Sequence, residues 1–124
     1  MTKPDIHAQV LAYFAATRSM DARKWVDCFA PDAIVDDPVE AAAVIGHAAL
    51  LEQGEAFVNG FKEIGLHETF VHAAGLEAAA KWEARGIGHD GRDVAFEGIN
   101  HFVFNAAGKI TRLQGFWDPA AVGG

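Results

Sequence analysis

Three polar side chains fall where the hydrophobic periodicity of this sequence demands apolar ones, and their types suit one kind of chemistry. Asp37 lies in the stretch Ile34-Val35-Asp36-Asp37-Pro38-Val39-Glu40, where two adjacent aspartates follow an apolar pair. Tyr13 lies among Ile6, Val10, Phe14 and Thr17, which have the spacing of one helical face. Asn100 shares a strand face with Phe96, Phe102 and Phe104. A carboxylate, a phenol and an amide converging in an apolar cavity could abstract a carbon-bound proton and hold the resulting enolate oxygen. Desolvation raises the pKa of the carboxylate and makes it a better base. Neutral donors stabilise the developing oxyanion without neutralising that base.

Each residue also has a plainer reading. A buried tyrosine packs in a core with its hydroxyl on a backbone carbonyl. A buried asparagine bonds across to a loop or helix end, because leaving its amide unsatisfied costs roughly 1–3 kcal/mol. The residue before a proline is pushed toward extended geometry, so Asp37 follows Val35 to one face and Asp36 follows Ile34 to the other. Five residues do not decide which parity faces a pocket. The alternative is that both aspartates cap an exposed turn.

The elements that must position these groups are readable from period and punctuation. A first helix carries Tyr13. A second, N-capped by Asp21, sets Ala22, Trp25, Val26 and Phe29 as its buried stripe and ends at Ala30-Pro31-Asp32. A short strand from Ala33 to Asp37 leads to Pro38. A third helix starts after Gly46 with Leu50, Gly54, Phe57, Val58 and Phe61 inward, and Gly60 and Gly65 bracket its end. From Leu66 the period becomes two: Ala78, Ala80, Trp82 and Ala84 alternate with Glu77, Lys81, Glu83 and Arg85. With turns at Ala73-Ala74-Gly75, Asp90-Gly91 and Asn105 to Gly108, this predicts a four-stranded antiparallel meander over roughly 66–73, 76–88, 92–105 and 109–118. Helices first and sheet second is an α+β layout with the helices on one sheet face. The opposite face of the long third meander strand carries Ala95, Ile99, His101 and Val103, too apolar for open water, which predicts a homodimer packed across the sheet.

Composition narrows the function classes. The 124 residues allow one domain, 1–124, and 51% hydrophobic with 22% charged residues is globular composition. A formal net charge of -7, with ten Lys and Arg scattered singly, argues against a nucleic-acid partner. The start of the chain lacks the apolar core of a signal peptide, and no run approaches a membrane span, so a cytoplasmic protein with no membrane partner is expected. Cys28 is the single cysteine, fits a reducing compartment and packs as a small hydrophobe. His67 and His72 are expected on opposite faces of one strand, and no other pair has ligand-like spacing, so no metal site and no cofactor are expected.

Tyr13, the segment Ala33 to Val39 with Gly46, and the segment Ile99 to Lys109 together resemble the ketosteroid isomerase group of the nuclear transport factor 2-like (SnoaL-like) superfamily, from about His7 to Pro119. The resemblance implies a cone-shaped α+β fold with three N-terminal helices packed on a curved antiparallel sheet. It implies that Asp37 is the proton-shuttling base and Tyr13 the oxyanion-hole tyrosine, in the mechanism known for that group. Asn100 stands where the group has a protonated aspartic acid, and an amide donates at every pH without needing a raised pKa. Phe57, Phe61, Trp82, Phe102, Leu113 and Trp117 would line the cavity for a flat apolar ligand. Tyr13 is the only tyrosine, so the further tyrosines that back the phenol in some isomerases are missing. The activity implied is movement of a proton α to the carbonyl of a steroid-like ketone. Polyketide cyclases, dehydratases and epoxide hydrolases of the same fold, and non-catalytic ligand-binding or dimerisation modules, are the alternatives.

Overall fold

The computed structural model describes residues 4–122. Asp5 caps the first helix, α1 (Ile6–Thr17), by accepting from Ala8 N at 3.0 Å, and Ile6, Val10, Tyr13, Phe14 and Thr17 form its buried face as the spacing predicts. Asp21 caps the short α2 (Ala22–Val26), whose side chains put only Val26 in the core. Phe29 is not on this helix. It starts β1 (Phe29–Asp36), which runs through Ala30-Pro31-Asp32 where a break was expected. Pro31 is tolerated there because the register of β1 on its neighbour is interrupted between Phe29 and Ile34.

After β2 (Val44–Ile45) comes α3 (His47–Asn59), then the meander β3 (Glu63–Ala74), β4 (Glu77–Ile87), β5 (Asp93–Phe104) and β6 (Ile110–Phe116), and a terminal turn of helix, α4 (Pro119–Val122). The sheet order is β2-β1-β6-β5-β4-β3, with β1 parallel to β6 and every other pair antiparallel. The expected meander is therefore present, and β1 and β2 extend it to six strands. Gly65 lies inside β3, not at the end of α3; a β-carbon there would come within 2.7 Å of Arg18 Cγ, at the C-terminal end of α1. Two hydrogen bonds fasten the same junction: Leu66 N donates to Thr17 Oγ1 at 3.0 Å and Arg18 donates to Leu66 O at 2.8 Å.

The core lies between the helices and the inner sheet face. Across that face Ala78, Phe102, Leu113 and Val35 stand in one register row, all buried. The outer face has its own row, Phe70, Lys81, Ile99 and Phe116 on four successive strands, in which Phe70 is 63% exposed, Ile99 48% and Phe116 49%. A register shift between Glu68 and Phe70 reverses the alternation of β3. As a result His67 pairs with Glu83 and His72 with Ala79, and both histidines face outward. The expected opposition of these two histidines is thus corrected by one extra residue in the strand. Among the described residues no helix is long and apolar enough to cross a membrane.

Candidate active site

A pocket of about 340 Å³ opens between the helices and the inner sheet face. Tyr13 comes to it from α1, Trp25 from α2, Gln53, Gly54, Phe57 and Val58 from α3, and Leu66, Trp82 and Phe96 from the sheet. Asp37 and Pro38 follow β1, and Trp117 and Pro119 follow β6. The walls are predominantly apolar, and the few polar groups on them are correspondingly informative.

The adjacent aspartates separate as their parity requires. Asp36 stays in the strand, facing outward in a 2.8 Å ion pair with Arg112. Asp37 turns inward, where Trp117 Nε1 donates to its Oδ1 at 2.5 Å. Desolvation by burial raises the Asp37 carboxyl to about 6, and the Trp117 hydrogen bond offsets part of that rise. The carboxylate therefore stays a stronger base than an exposed one yet is ionised at neutral pH.

Gly115 makes room for it. A β-carbon at this position would overlap Asp37 Oδ1, lie 2.9 Å from Asp37 Cγ and 3.3 Å from Asn100 Oδ1. The carboxylate and the amide thus flank one glycine of β6.

Tyr13 is 1% exposed, with edge-to-face rings of Phe102 at 5.0 Å, Phe14 at 5.2 Å and Phe29 at 6.2 Å between centroids. Burial, helped by the negative charge of Asp37, pushes its pKa well above the ordinary 10, while the Trp25 indole and the Asn100 amide beside it act the other way. The phenol is thus held protonated at neutral and mildly alkaline pH.

Asn100 is 1% exposed and stands one layer behind the wall, reached through Trp82 and Tyr13. Its Oδ1 accepts from Trp82 Nε1 at 3.0 Å, which fixes the amide's orientation. Its Nδ2 is buried and has no hydrogen-bond partner. An orphaned donor of this kind costs roughly 1–3 kcal/mol unless something fills the position. Trp82 reaches Asn100 by lying across its register partner Gly98, where a β-carbon would come within 2.9 Å of the indole Cη2.

Of the six residues expected on the cavity walls, Phe57, Trp82 and Trp117 are there. Three are not. Phe102 is fully buried behind Tyr13, stacked on Phe104 at 5.9 Å. Leu113 is fully buried as the register partner of Phe102 and Val35. Phe61 lies beyond the end of α3 and packs on Phe57 at 5.8 Å. Period alone puts a residue on the inner face, and depth across the sheet then decides between wall and core. Gln53, Trp25 and Phe96 are wall residues that the sequence reading did not include in the site. Phe96 shares the inner-face parity, so parity was its available signal. Gln53 had one too, as the polar member of the stripe Leu50, Gln53, Gly54, Phe57 and Val58.

The profile of the SnoaL-like domain matches residues 10–113. The steroid Δ-isomerase of Nocardioides simplex is 30% identical over 115 residues, covering 93% of this chain and 91% of that one. Among solved structures, the epoxide hydrolase/cyclase-like enzyme SalBIII superposes with a TM-score of 0.84 at 22% identity, over 94% of this chain and 92% of that one. RV0760c from Mycobacterium tuberculosis superposes with a TM-score of 0.82 at 15% identity, over 98% and 96%. These last two likenesses establish the nuclear transport factor 2-like fold and nothing about substrate.

Proposed function

Because the chain belongs to the SnoaL-like domain family, whose relatives include isomerases and cyclases, we propose that it moves a carbon-bound proton α to the carbonyl of a hydrophobic, steroid-like ketone. The observation that carries this reading is Asp37: an inward carboxylate with a pKa raised to about 6, in an apolar pocket that it shares with a protonated tyrosine. In this mechanism Asp37 takes the proton from carbon, Tyr13 donates to the enolate oxygen, and Asn100, expected as a second donor to that oxygen, acts instead on the Tyr13 phenol from behind the wall. Asp37 then returns the proton at another carbon, so that the double bond shifts and no cofactor is consumed. Trp117 holds the carboxylate in line through its N–H. The test is conversion of a β,γ-unsaturated ketosteroid to its conjugated enone, followed by absorbance. The expected result is turnover that saturates with substrate, and enone formation no faster than in buffer would sink the reading.

We also propose that the outer-face row of Phe70, Ile99 and Phe116 is covered by a second copy of the chain, since three large apolar side chains in one register row are a poor surface for water. Light scattering of the purified protein should give twice the monomer mass. Ile99→Lys combined with Phe116→Lys should give the monomer while the circular dichroism stays that of the parent. A parent protein that is already monomeric at tens of micromolar would remove the proposal.

A further inference from the structure

Two buried side-chain atoms lack a hydrogen-bond partner among the described residues, Asn100 Nδ2 and Gln53 Oε1. They are complementary in kind, one a donor and the other an acceptor. The donor stands behind the wall beside the Tyr13 phenol, on which its amide acts. The acceptor has no role in the proposed reaction. Gln53 lies on the pocket-facing stripe of α3, where every neighbour on the stripe is apolar or glycine, and the next residue, Gly54, packs closely enough on α2 that a β-carbon there would lie 3.0 Å from the Trp25 ring.

Thr17 and Asp21, which also belong to this helical wall, are already engaged. Thr17 Oγ1 donates to Phe14 O at 2.6 Å and accepts from Leu66 N, and Asp21 accepts from Arg23 N at 3.0 Å. Gln53 is thus the wall's unmatched acceptor. An apolar wall with an unmatched buried acceptor favours a ligand that brings a donor to it, and disfavours the analogue lacking that donor.

We propose that Gln53 is a specificity residue that accepts a hydrogen bond from a hydroxyl group on the substrate, so that the natural ligand is a hydroxylated apolar ketone and not a plain hydrocarbon ketone. This rests on the isomerase-type reading for the orientation of the ligand, but its test separates the two. The probes are deoxyestradiol, whose only oxygen is the phenol that mimics the enolate, and a set of isomeric derivatives of it carrying one added hydroxyl on ring B, C or D. Binding is followed by quenching of tryptophan fluorescence.

At least one hydroxylated isomer should bind the parent protein about tenfold more tightly than deoxyestradiol, as one well-placed hydrogen bond allows. That gain should vanish in Gln53→Met, which keeps length and helix propensity but removes the acceptor. A gain that persists in Gln53→Met, or no gain for any isomer, overturns the proposal. A second measurement does not depend on ligand at all. An unmatched acceptor contributes nothing to the empty protein, so Gln53→Met should melt at or above the parent temperature; a fall of about 4 °C or more would show a structural amide and overturn the proposal. If deoxyestradiol fails to bind, the isomerase-type reading fails, and the melting comparison decides the role of Gln53 alone.

Discussion

Asp37→Asn is expected to lower kcat by about 10²–10⁴-fold while leaving binding of a phenolic steroid largely intact, because the amide keeps the shape of the carboxylate and loses its basicity. In the parent protein the base must be ionised to act. With its pKa raised to about 6 by desolvation, kcat/KM should climb tenfold per pH unit below that value and level off above it. No alkaline fall should follow between pH 7 and 9, since burial keeps the Tyr13 phenol protonated there and the Asn100 amide does not titrate. A profile that is flat from pH 4 to 8 would separate Asp37 from the chemistry.

The same substitution has a stability consequence of opposite sign. A carboxyl whose folded pKa is raised keeps its proton in the native state to a higher pH than in the unfolded chain. Ionising it therefore costs stability: the cost is absent below about pH 3.8, grows between 3.8 and about 6, and is complete above. A shift of this size corresponds to about 3 kcal/mol. Asp37→Asn should consequently be more resistant to urea than the parent at pH 7.5, with the two curves converging toward pH 4. A variant that is less stable than the parent at pH 7.5 would mean that the carboxylate contributes to the fold, contrary to its placement.

Tyr13→Phe is expected to cost about 10²–10³-fold in kcat, the usual effect of removing one oxyanion donor. The ring contacts with Phe14, Phe29 and Phe102 survive in phenylalanine, so the fold should lose no more than about 1 kcal/mol, the ordinary net value of a hydrogen bond. The pH profile should keep its rise near 6, because the base is untouched. That separates a donor role from a role in holding Asp37, which would shift the profile. Loss of phenolic-steroid binding in Tyr13→Phe with an unchanged melting temperature would complete the assignment, whereas unchanged binding would place the enolate oxygen elsewhere.

Much of this arrangement is written in local pattern. The helical face of Tyr13, the division of Asp36 from Asp37 and the inner face of β5 all follow from period and from the proline after Asp37, and the structure places them accordingly. What escaped was set by long-range geometry. Phe29 reads as the fourth member of a helical stripe, yet it pairs with Ile110, far along the chain, and begins a strand. One extra residue near Thr69 turns His72 to the side of His67, and nothing in the local alternation announces it. Phe102 and Leu113 have the right parity for a wall but are fully buried side by side in the sheet, with the Tyr13 ring packed on Phe102. Gln53 was the reverse case, a polar residue on an apolar stripe whose significance appears only when the apolar pocket in front of it is seen.

The glycine at position 115 links two distant parts of the sequence in a way that bears on library design. A side chain at position 115 would displace the carboxylate at position 37 from where it now lies, so substitutions at the two sites are coupled. A related sequence that combines alanine at the second site with aspartate at the first must have re-aimed that aspartate. In a library built on this chain, positions 37 and 115 are therefore varied as one unit.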